Sequence, residues 1–129
     1  MKAAFSLLAT SLLLCAAPLS AHHSFAAQYD ASKPVTLIGV VTKVEWMNPH
    51  ARFYINVKAP DGSVTNWNLE LASPNYLKRA GWSSTSLKEG DEVTIEGSLA
   101  RSGANMANAA SVTLPDGRRI FARSGADGG

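Results

Sequence analysis

The chain has 129 residues, of which 46% are hydrophobic and 17% charged, with a formal net charge of +2 and a single cysteine. That length suits one domain with a modest core and leaves no room for a second. The charge gives no general electrostatic footprint for nucleic acid or anionic lipid, and one thiol can build neither a disulfide framework nor a thiolate metal site.

Lys2, the apolar run from Ala3 to Ala17 and the close Pro18-Leu19-Ser20-Ala21 have the order of a secretory signal. Residues 1–21 are therefore expected to be removed, with His22 first in the mature chain, the periplasm as destination and no transmembrane anchor left. Of 129 residues, 108 then remain; losing Lys2 leaves 11 basic against 10 acidic side chains, a net +1, and Cys15 departs as well.

Residues 22–33, HHSFAAQYDASK, read as a polar lead-in, with the domain proper at 34–123 and a flexible tail at 124–129. Pro34 opens the first strand, where its missing donor does least harm. From Val35 to Lys58 the chain reads as one long kinked strand, the turn Met47-Asn48-Pro49-His50 and a second strand. In the second strand Ala51, Phe53, Ile55 and Val57 alternate with Arg52, Tyr54, Asn56 and Lys58, as a half-buried strand requires. The first strand changes phase, from Val35 and Leu37 to Val40, Val44 and Trp46, which predicts a glycine bulge at Gly39.

Ala59-Pro60-Asp61-Gly62 predicts a hairpin turn into a third strand, Ser63 to Leu71. There Trp67, Leu69 and Leu71 face in, and Asn66, Asn68 and Glu70 face water. Ser73-Pro74 predicts an N-cap and first turn of a short helix to Ala80, closed by Gly81. Glu92 to Leu99 alternates as a fourth strand. A loop from Ala100 to Ala109 leads to a fifth strand, Ala110 to Leu114, and a short extension ends near Phe121. Val44, Phe53, Ile55, Val57, Trp67, Leu69, Val93, Ile95 and Val112 are the expected core.

Three strands, a short helix and two more strands is the order of a five-stranded all-β OB-like Greek-key barrel, which binds ligands on strands 2 and 3 and the loops between strands 1 and 2 and strands 4 and 5. The linked segments HHSFAAQYD, KPVTLIGVVTKVEWMNPHA, ELASPNYLKRAGW, LKEGDEVTIEG and ASVTLPDGRR resemble the DUF6152 family of exported proteobacterial proteins over nearly all of the mature chain. The resemblance implies an exported OB-like domain and no assigned activity.

His22, His23 and His50 are the three imidazoles. Neutral imidazole suits copper, zinc and nickel. If cleavage exposes His22, its amine and ring could chelate one ion with His50 assisting, so copper is the candidate cofactor; a solvated terminus and a turn-capping His50 is the plainer account. Asn48, Arg52, Tyr54, Arg101 and Asn105 form the candidate surface for a small-molecule ligand or protein partner. Trp46, Tyr54 and Trp67 could stack bases or sugars, but Trp46 and Trp67 fall in core registers, and nucleic acid is not expected. Glu45 and Glu70 sit at wet-face positions and are read as solvated charge. No Ser-His-Asp spacing, phosphate loop or thiolate motif is present, so the chain is read as a non-catalytic binding or accessory domain.

Overall fold

The computed structural model describes residues 25–122. The predicted signal, His22, His23 and the predicted tail lie outside them. The element order is α1 (Phe25–Gln28), β1 (Tyr29–Glu45), β2 (Arg52–Lys58), β3 (Val64–Glu70), α2 (Pro74–Arg79), β4 (Glu92–Ala100), β5 (Met106–Thr113) and β6 (Arg119–Phe121). β1 pairs antiparallel with both β2 and β4, β2 with β3, and β4 with β5; β3 then pairs parallel with β5. That last pairing closes the ring β1-β2-β3-β5-β4. The barrel is OB-like, with β6 added to β5 as a hairpin. No helix of the described residues is long and apolar enough to cross a membrane.

The alternation in β2 does what it predicts. Ala51, Phe53 and Ile55 are fully buried, and Leu69, Val93, Ile95 and Val112 meet them in one core, with Val44, Val57 and Trp67 half-buried against it. Ser73 caps α2, its hydroxyl accepting from the Tyr76 amide at 3.3 Å, and Gly81 turns the chain at φ +97°. Beyond it the buried Trp82 indole donates to the Phe121 carbonyl at 2.9 Å, tying the end of the helix to β6.

Three boundaries differ from the sequence reading. β1 begins at Tyr29, inside the expected lead-in, because Tyr29 already pairs with Ala100 of β4. The phase change of β1 lies between Val41 and Lys43 rather than at Gly39: Leu37 and Val41 are buried in one register, while Val40 is exposed. Gly39 answers a different need, since a Cβ there would stand 2.5 Å from the Asn56 carbonyl oxygen. β5 begins at Met106 instead of Ala110, so the loop before it spans only 101–105. Ala107, Asn108 and Ala109 are poor strand formers, but all three are buried between β3 and β4, and closure of the ring overrides their propensity.

Candidate functional site

Strand pairing sets a row of residues across the outer face of the barrel. Glu45, Arg52, Glu70, Asn108 and Ser98 are successive partners on β1, β2, β3, β5 and β4. Their neighbours Ala51, Phe53, Leu69, Leu71, Ala107 and Ala109 fill the core. An outer row ordinarily meets water, yet Glu70 and Asn108 are each only 6% exposed. This corrects the expectation that Glu70 is solvated charge. Tyr29 of the lead-in, itself buried, reaches the carboxylate from 41 residues upstream.

A carboxylate removed from water must be paired and hydrogen-bonded. The Tyr29 hydroxyl donates to Glu70 Oε2 at 2.9 Å, and Arg52 Nη2 donates to the same oxygen at 2.5 Å. Arg52 Nη1 also reaches Asn68 Oδ1 at 3.3 Å, which fixes the guanidinium across the two strands. The other oxygen, Oε1, faces His50 Nδ1 at 3.3 Å. Burial, and then the neighbouring carboxylate, push the Tyr29 phenol well above its ordinary range, so it is a donor under all ordinary conditions. Next to Glu70, Asn108 Oδ1 on β5 is buried with no hydrogen-bond partner among the described residues.

His50 ends the turn that joins β1 to β2, and its Nδ1 also lies 3.1 Å from the Leu71 carbonyl oxygen. Both neighbours of Nδ1 are oxygen acceptors, so in the neutral ring Nδ1 carries the hydrogen and Nε2 the lone pair. Among the described residues no hydrogen bond engages Nε2, and the side chain is 35% exposed. A ring nitrogen whose opposite N–H is held by a backbone carbonyl, with a carboxylate close by, is in the posture of a metal-ligating imidazole. Among the described residues no group of three metal-ligating side chains is gathered.

The surface residues read from sequence divide. Arg52 and Tyr54 share the outer face of β2, and the Asn105 carbonyl accepts from the Asn68 amide at 3.0 Å, which brings the loop 101–105 against β3. Tyr54 donates to Glu45 Oε2 at 3.4 Å beneath the ammonium of Lys43, and Asn48 is exposed in the turn. Arg101 serves the lead-in instead: its Nε donates to the Ala26 carbonyl at 2.8 Å and its Nη1 lies 3.4 Å from Asp30 Oδ2. Trp46 and Trp67 pack against the core, as their registers predict. Sequence reasoning missed Tyr29 and the burial of Glu70. The one local signal was the pair of aromatic residues, Phe25 and Tyr29, in a polar lead-in.

The family model described as "Family of unknown function (DUF6152)" matches residues 10–109. No curated protein matches the chain. Among solved structures, the mitochondrial single-stranded DNA binding protein Rim1 of S. cerevisiae is similar, at 12% identity and a TM-score of 0.49, over 64% of this chain and 92% of that one.

Proposed function

We propose that this chain, which belongs to the DUF6152 family, is an exported, non-catalytic binding domain of the periplasm whose His50 offers Nε2 to a metal ion, copper(II) foremost. The observation that carries the reading is the contact of Nδ1 with the Leu71 carbonyl at 3.1 Å, with Glu70 Oε1 3.3 Å away, which in the neutral ring leaves Nε2 as a ready ligand. The other two donors are assigned from sequence to His22, through its amine and ring, with His23 as a further assisting residue. Three nitrogen donors suit copper(II), for which such sites have the highest affinity among the divalent ions. The reading gives no part to nucleic acid, because three cations on this side are already matched: Lys43 with Glu45, Arg52 with Glu70 and Arg101 with Asp30. It gives none to catalysis either, since the contacts of Glu70 orient its neighbours and place no nucleophile beside His50.

Titration calorimetry on the mature chain tests this. Native protein is expected to bind one copper ion at micromolar concentration or tighter. His50→Ala, and separately one extra residue before His22, should each weaken binding, by different amounts. Absence of copper binding by the native chain would overturn the metal reading and leave a binding module for a small molecule or protein partner on the Arg52, Tyr54 and Asn105 face.

A further inference from the structure

Two distant parts of the chain meet on one side chain. Tyr29 of the lead-in holds Oε2 of Glu70, and His50 of the β1–β2 turn faces Oε1. Arg52 holds Oε2 from a third side. Because Glu70 is buried, these partners rather than water set the direction of its two oxygens.

The lead-in is built to dock as a unit. Phe25 stacks on Tyr29 with ring centroids 5.7 Å apart, the Arg101 amide donates to the Gln28 carbonyl at 2.9 Å, and the Arg101 guanidinium takes Ala26 and Asp30. Between this unit and the barrel the pairing slips: Tyr29 faces Ala100 and Pro34 faces Ser98, so the chain bulges out over Asp30 to Lys33. The ring of strands closes through pairings that need nothing before Pro34.

We infer that Glu70 couples docking of the lead-in to the readiness of His50 to bind a ligand, with Tyr29 and Glu70 as positioning residues. When the lead-in is docked, Oε2 is filled by Tyr29 and Arg52, and Oε1 is left 3.3 Å from Nδ1, where it adds to the Leu71 carbonyl in favouring the Nδ1–H tautomer with Nε2 open. When it lifts, Glu70 loses a donor and its cover, water competes for both oxygens, and His50 keeps only the Leu71 carbonyl. A ligand that takes the Nε2 lone pair therefore favours the docked state, and by linkage docking favours that ligand by the same factor. The inference rests on the reading that His50 Nε2 is the binding atom, but its first test does not.

Tyr29→Phe removes one hydroxyl and leaves the ring. In metal-free protein, nitrogen chemical shifts of the His50 ring should report Nδ1–H in the native chain and a smaller share of that tautomer in Tyr29→Phe, where the Leu71 carbonyl alone still favours it. An unchanged tautomer would overturn the coupling whatever binds at His50. With copper(II) as probe, Tyr29→Phe should weaken binding up to about 10-fold, the low end of the loss when a ligating histidine's direct partner is removed, because Tyr29 acts one contact further out. Copper should in turn slow hydrogen exchange of the Arg101 amide, which donates to Gln28, in the native chain more than in the variant. Equal copper affinities and an unmoved Arg101 amide, with His50→Ala still abolishing binding, would sink the coupling alone. Failure of the native chain to bind copper, with the tautomer change present, would sink the metal reading and leave the coupling standing.

Discussion

Asn66 and Glu70 stand on the same strand, four residues apart and on the same outer face of β3, yet they live under opposite rules. At the hairpin end Asn66 is exposed and donates to Asn56 Oδ1 at 2.9 Å and to the Thr42 hydroxyl at 3.3 Å. These are bonds that water can replace, so each contributes little net. At the other end Glu70 is covered, and each contact it makes substitutes for lost hydration. The same period-two alternation thus produces a tolerant surface at one end and a site that fails when a partner is removed at the other.

The largest effect should come from beneath both ends. Ile55→Ala, at a fully buried position paired with Trp67, should cost about 2–5 kcal/mol in denaturant unfolding; a loss near zero would place the core elsewhere. Next comes Glu70→Ala, which strands the Tyr29 hydroxyl and unpairs Arg52, at about 2–4 kcal/mol in the same assay. Because Arg52 can turn towards solvent, the value should fall below the full cost of an isolated buried charge. Tyr29→Phe should cost about 1–2 kcal/mol, and it sharpens the contrast through pH. The Tyr29 phenol is raised above its ordinary value of 10.0, so the folded state favours the neutral form. Its contribution is complete below pH 10 and is lost as pH climbs beyond that towards the folded-state value. In an ultraviolet titration of the three tyrosines, one should ionise late in the native protein, and that late step should be missing from Tyr29→Phe. The smallest effect is reserved for Asn66→Ala, within about 0.5 kcal/mol. A cost there equal to that of Glu70→Ala would erase the distinction between the two ends.

The barrel was legible because its local signals agree. Ala51, Phe53 and Ile55 alternate cleanly, Pro60-Asp61-Gly62 turns where expected, and Ser73-Pro74 starts α2. The site was only half legible. His50 stood out as the imidazole in a turn, but nothing near Glu70 in sequence says what covers the outer face of β3. The cover arrives from Tyr29, and alternation carries no information about so remote a partner. The start of β5 was hidden for a related reason: alanine and asparagine look like loop until ring closure buries them. Gly39 misled in the opposite sense, a glycine required by the nearness of Asn56 being read as a break in the strand.

The parallel pairing of β3 with β5 is three rungs long, Asn68 with Met106, Leu69 with Ala107 and Glu70 with Asn108, against seven between β2 and β3. It is the one clasp that turns an open ribbon, ordered β3-β2-β1-β4-β5-β6, into a closed wall. Undone, it would bare a raw edge along β3 and another face of β5, each with backbone groups ready to template a second chain. The terminal rung carries Glu70, the side chain that Tyr29 of the lead-in bonds, so variants that release the lead-in are the ones in which fibrous or dimeric species should first accumulate on storage.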